Sequence, residues 1–124
     1  MDIHILTITY TLDGQFRLSP EMEAWLKSET PKGIFVTNSK THLLMEILEN
    51  NAIKNTFIVG FDLNKQNLKY LKAEKVNFLI NQQPEMQGYS AIKGLFEFLT
   101  KKDASELDKD IPIEIIVKEN IPDL

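Results

Sequence analysis

The spacing of apolar positions changes repeatedly along this chain. Ile3 to Thr9 alternates apolar and polar residues at the period of a half-buried strand, and the segment from Thr11 to Arg17 carries Asp13-Gly14, a turn signal. Ser19-Pro20 reads as an N-cap followed by a first helical residue. Met22, Trp25 and Leu26 then share one face of a helix that stops before Pro31. Gly33-Ile34-Phe35-Val36 is a compact buried strand, and Asn38-Ser39 supplies caps for a helix whose apolar face is Leu43, Leu44, Ile47 and Leu48, ended by Asn50-Asn51. Thr56 to Phe61 is the next strand. A short helix from about Asn64 bears Leu68 and Leu71, and Asn77 to Ile80 makes another strand. Pro84 opens the longest helix, with Tyr89, Ile92, Leu95, Phe96 and Leu99 at helical spacing. A charged loop from Lys101 to Lys109 leads to a last strand, Ile113 to Val117.

Short β-branched runs alternating with amphipathic helices are the pattern of βαβ units, so the expected class is α/β, a three-layer α/β/α fold around a mostly parallel, flavodoxin-like sheet. At 124 residues, 43% of them hydrophobic and 26% charged, the chain suits one domain. A net charge of -4 argues against a nucleic-acid surface within these residues, because neutralising phosphates needs clustered Lys and Arg. The absence of cysteine excludes disulfides, thiolate catalysis and cysteine-ligated zinc. The opening MDIHILTITY lacks a basic region followed by a long apolar run. No stretch reaches the roughly 18 apolar residues of a membrane span, so no membrane partner is expected.

In open α/β sheets, ligands bind beyond the carboxyl ends of the strands, where helix N-termini converge. Three polar residues stand there in successive units: Asn38 in VTNS, Asp62 in GFD and Gln82 in INQQP. Two amides around a carboxylate can donate to and accept from neighbouring hydroxyls, which suits a sugar. They suit a phosphate poorly, since no glycine-rich loop accompanies them. Each of the three, taken alone, is also an ordinary helix cap or turn residue.

Other candidate chemistry is weaker. His4 and His42 are too far apart for a short metal motif, and Ser39 lacks the glycine-flanked elbow of a nucleophile. Asp62 has neither the acidic pair nor the downstream lysine that a phospho-acceptor aspartate needs. Lys65, Lys69, Lys72 and Lys75 are spaced as a solvated helix face, and Trp25, Tyr89 and Phe96 as core aromatics.

The order of GIFVTNS, then IVGFDLNKQNLKYLKAEKVNFLINQQPEMQGYSAIKGLFEFL, then PIEIIVKENI resembles the later part of the sugar-binding domain of LacI-type transcriptional regulators and of periplasmic sugar-binding proteins. The likeness spans about residues 33 to 121. It implies one lobe of a type I periplasmic-binding-protein-like domain that closes on a small sugar-like effector, with Asn38, Asp62 and Gln82 at the family's ligand-contacting positions. Gln82 would lie near an interlobe crossover, and the segment 84–110 would belong to the other lobe. No catalysis and no cofactor are expected.

The resemblance also implies that residues 1–124 form a partial effector-binding domain. The DNA-reading helix-turn-helix, the first lobe and the first βα unit of the second lobe are expected outside it, so DNA would be met only through that absent domain. A cleft with one wall should grip a ligand weakly. A long helix deprived of its lobe, and a strand edge deprived of its neighbour, invite pairing between copies, so a homo-oligomer is expected. The favoured parent is a cytoplasmic regulator. The alternatives are a periplasmic sugar-binding component of a transporter and a self-contained flavodoxin-like or receiver-like domain.

Overall fold

A computed structural model describes residues 19–122 of the chain. The strand expected at Ile3 to Thr9, the turn at Asp13-Gly14 and His4 lie outside the described residues. Within them the order is α1 (Pro20–Lys27), β1 (Lys32–Phe35), α2 (Thr41–Asn50), β2 (Thr56–Phe61), α3 (Lys65–Lys72), β3 (Phe78–Asn81), α4 (Pro84–Lys101), β4 (Glu114–Ile116) and a 3-10 turn (Lys118–Asn120).

Local chemistry sets most of these boundaries. Ser19 Oγ accepts the Met22 N–H at 3.1 Å, and Pro20 occupies the first position of α1, where its missing N–H costs nothing. Asn64 caps α3 in the same manner, its Oδ1 accepting the Asn67 N–H at 2.8 Å. The start of α2 departs from the Asn38-Ser39 cap expected of it. Asn38 Oδ1 instead accepts the Lys40 N–H at 2.9 Å and closes a turn, Lys40 occupies the cap position but its side chain does not cap the helix, and the helix begins at Thr41.

The four strands lie in the order β1-β2-β3-β4, the first three parallel and β4 antiparallel to β3. Two parallel βαβ crossovers in one direction place α2 and α3 on the same face. On that face the register aligns Ile34 with Ile58, Gly60 with Leu79, and Leu79 with Ile116. Ile58, Leu79 and Ile116 join Leu44 and Leu48 of α2, Leu68 and Leu71 of α3, and Met22 and Leu26 of α1 in one buried cluster. Trp25 packs against that cluster, as its helical spacing led one to expect.

The opposite face is aromatic. Phe35 meets Phe61 edge-on with ring centroids 5.6 Å apart, and Phe57 meets Phe78 at 5.5 Å. Phe35, Phe57 and Ile115 on this face remain largely exposed. The α/β class and the mostly parallel sheet match the expectation from sequence. Of the three expected layers, the core described here joins the sheet to one helical layer.

Helix α4 corrects the expectation that Tyr89 and Phe96 are core aromatics. They are 67% and 61% exposed, and Ile92, Leu95 and Leu99 stand exposed beside them. The core face of the sheet is already filled by α1, α2 and α3, so this apolar stripe has no place in that core. Gly94 is the one buried residue of α4, and a Cβ placed there would lie 2.7 Å from the Glu106 carbonyl oxygen. The following loop thus rests directly on the helix backbone.

Candidate functional site

Parallel pairing of β1, β2 and β3 brings their carboxyl ends to one rim. Two asparagines tie the loops of that rim together. Asn64 Nδ2 donates to the Ser39 carbonyl at 2.8 Å, joining the loop after β2 to the loop after β1. Asn67, fully buried in α3, donates through Nδ2 to the carbonyls of Phe61 at 2.8 Å, Ser39 at 3.0 Å and Asp62 at 3.1 Å. Its Oδ1 accepts the His42 N–H at 2.9 Å and lies 3.1 Å from His42 Nδ1. One amide side chain therefore supplies an acceptor cap to the first turn of α2 from another helix and holds both rim loops in register. Sequence reading missed Asn67, because an asparagine inside a helix pattern gives no local sign of being a buried bridge.

Asp62 follows β2 in the left-handed region, at φ 67°, a conformation that aspartate tolerates better than most side chains. Its N–H donates to the Ile80 carbonyl at 3.0 Å and its carbonyl receives Asn67, so its backbone is held from both sides. Gln83, at φ 52°, is likewise left-handed although it precedes a proline. Its N–H donates to Asn81 Oδ1 at 3.2 Å and its Nε2 to the Pro112 carbonyl at 2.9 Å. Pro84 then starts α4.

These turns frame a cavity of about 880 Å³. Its wall includes Asp62 and Asn64 after β2, Asn81 and Gln83 at the end of β3, Glu85 and Tyr89 on α4, and Glu114 at the start of β4. Asn81 Nδ2 donates to Glu114 Oε2 at 2.8 Å across the antiparallel pair. Three carboxylates, three amides and an aromatic ring around an open cavity can hydrogen-bond vicinal hydroxyls and stack on the apolar face of a small polar ring.

Of the three residues singled out in the sequence, Asp62 lines this cavity. Asn38 is exposed on the same rim, closing its own turn, and is not part of the cavity wall. Gln82 is half-buried, and its carbonyl accepts Gln87 Nε2 at 2.6 Å. Its neighbour Gln83 faces the cavity instead. Asn81, Gln83, Tyr89 and Glu114 were missed. Gln83 had a usable signal, its place directly before the helix-opening proline, whereas Glu114 arrives only through the pairing of β4 with β3.

No group of three His, Asp or Glu side chains among the described residues is arranged to hold a metal ion. No helix among them is long and apolar enough to cross a membrane.

A polar cavity beyond the carboxyl edge of the sheet is where open α/β folds hold their ligands. A family profile described as periplasmic binding protein domain matches residues 2–103, and the chain belongs to that family. Among solved structures, it is similar to a protein from Bacteroides fragilis assigned as a LacI transcriptional regulator, with 35% identity over 72% of this chain and a TM-score of 0.64. It also shares the fold of GanP, a glucose-galactose binding protein from Geobacillus stearothermophilus, with 23% identity over 73% of this chain and a TM-score of 0.66. The chain spans 31% and 32% of those two chains. No curated protein matches it. The families it resembles are binding and regulatory proteins.

Proposed function

We propose that this chain is part of the effector-binding domain of a LacI-type transcriptional regulator, cytoplasmic and without catalytic activity, in which a sugar-like effector is held by Asp62 in the cavity wall, with Asn38 and Gln82 beside it on the same rim as further contacts when the domain closes. The observation that carries the reading is the placement of Asp62, whose backbone is clamped by Ile80 and Asn67 at the edge of an amide-lined cavity. The 35% identity to a protein assigned as a LacI regulator supports the regulator over other binders.

In this reading α4 and the segment 84–110 belong to the second lobe, and Gln82 sits at the crossover beside the left-handed Gln83. The exposed stripe of Tyr89, Ile92, Phe96 and Leu99 supports it, since so broad an apolar face is seldom left to water. The same stripe supports a homo-oligomer. DNA is met through a helix-turn-helix domain outside this chain, and effector binding shifts the balance between lobe arrangements and so changes operator affinity.

Calorimetry with a panel of monosaccharides on the intact parent protein tests the site. One sugar should bind, and Asp62→Ala should weaken it about tenfold or more, the loss of a charged hydrogen-bond acceptor. Unchanged affinity in that variant removes Asp62 from the site. A sugar-binding component of a transporter is the second reading, favoured by the fold shared with GanP. Sugar-dependent binding of operator DNA by the parent separates the two.

A further inference from the structure

The cavity wall has a one-sided charge that the polar-ring reading does not require. Asp62, Glu85 and Glu114 all line it, and among the described residues no Lys, Arg or His does. Among the described residues none of the three carboxylates is paired with a basic side chain; Glu114 is held by a neutral amide, Asn81 Nδ2 at 2.8 Å. The N-terminus of α4 opens on this cavity and its dipole would favour an anion, but Glu85 stands in its first turn and occupies that field. The carboxylates are spread around the wall rather than gathered into a metal-holding group. Their combined effect is a negative potential over the volume a ligand would fill.

We infer that this wall selects its ligand by charge. A neutral sugar or one bearing a protonated amine is accepted, and a phosphorylated or carboxylated sugar is rejected. The inference rests on the sugar-binding reading and adds to it the class of sugar. Each carboxylate repels a phosphate brought into the cavity and attracts an ammonium group there, and the low-dielectric wall strengthens both effects relative to open water. Hydroxyls are indifferent to the sign of the potential and still find the amides of Asn64, Asn81 and Gln83.

The test is an NMR titration of the isotope-labelled full chain with the gluco and galacto series, each as the free hexose, its 2-amino derivative and its 6-phosphate. In at least one series the amino sugar should bind as tightly as the hexose or tighter, with shifts at Asp62, Asn81 and Tyr89, and the 6-phosphate should bind about tenfold more weakly. In a Glu85→Gln, Glu114→Gln double variant the gap between amino sugar and phosphate should narrow about threefold or more, as it should in wild type when salt is raised. A 6-phosphate that binds as well as its hexose, or a gap unchanged in the double variant, overturns the charge selection and leaves the sugar reading standing. No response to any of the six compounds overturns the sugar reading, and the charge selection falls with it.

Discussion

The side-chain oxygen of Asn67 accepts the backbone N–H of His42 at 2.9 Å across 25 residues of sequence, so that a buried amide in one helix caps another. The same amide faces three rim carbonyls through its nitrogen. Removing it orphans several partly buried groups at once, each costing about 1–3 kcal/mol when left unpaired. Asn67→Ala should therefore destabilise the fold by about 3 kcal/mol in chemical denaturation. Asn67→Asp keeps the acceptor but turns a carboxylate oxygen toward the three carbonyls, and should be no better tolerated. An Asp variant of wild-type stability would show that the nitrogen-side bonds contribute little.

A second close approach lies beside it. A Cβ added at Gly60 would sit 2.1 Å from Thr41 Oγ1, which is buried and has no hydrogen-bond partner among the described residues. Strand β2 and the first turn of α2 meet there with no room for a methyl group, and Thr41 cannot move aside because it is itself enclosed. Gly60→Ala should cost about 1–3 kcal/mol as an overpacked site. Thr41→Val replaces an orphaned hydroxyl with a methyl group of similar shape and should be neutral or raise stability by about 1 kcal/mol. Thermal unfolding of both variants decides the matter. A destabilised Thr41→Val would show that the hydroxyl has a partner.

The contrast between these two sites explains what was legible in the sequence. Strands and helices follow from local periodicity, and the caps at Ser19 and Asn64 follow from a residue within three positions of its target. The α/β class and the rim at the strand ends could be read because both depend only on chain order. The start of α2 could not, because its donor is met by Asn67 from a later helix. Glu114 could not be placed either, since it reaches the cavity through an antiparallel strand added at the edge, paired with Asn81 33 residues away. For α4 the spacing of Tyr89, Ile92 and Phe96 announced an apolar stripe correctly. Periodicity says that a stripe exists and nothing about what covers it.

Lys32 is a lysine almost wholly removed from water, at 4% exposure. Its ammonium donates to the carbonyls of Ser28 and Thr30, just past the end of α1, and lies 5.8 Å from the centre of the Trp25 ring. A cation at a helix C-terminus answers the dipole and the free carbonyls there, and the ring face adds to the attraction. Lys32→Met keeps the aliphatic stem but leaves both carbonyls unanswered, and should cost about 2 kcal/mol. Lys32→Arg retains charge and donors and should lose less. Denaturation midpoints of the two variants check this ordering, and equal losses would assign the role of Lys32 to its stem.

The loop after α4 is held by charge as well as by contact. Glu106 lies 3.4 Å from Lys109 and 3.5 Å from Lys93, and its backbone carbonyl rests against Gly94. The charge of Lys109, then that of Lys93, draws the Glu106 carboxyl below its ordinary pKa. A carboxyl depressed in the folded state binds its proton less readily there than in the unfolded chain. Its contribution is therefore present above the ordinary glutamate pKa and lost as pH falls through the lowered one. The pairs are largely solvent-exposed, so the effect belongs to the loop and not to global stability. Amide hydrogen exchange at Ser105 to Leu107 should quicken at acid pH relative to the trend of unpaired amides, and Glu106→Gln should abolish that pH dependence. Gly94→Ala should speed exchange in the same segment at every pH, because the added methyl group pushes against the Glu106 carbonyl. If exchange in the Gly94→Ala variant matches wild type, the loop does not depend on this contact.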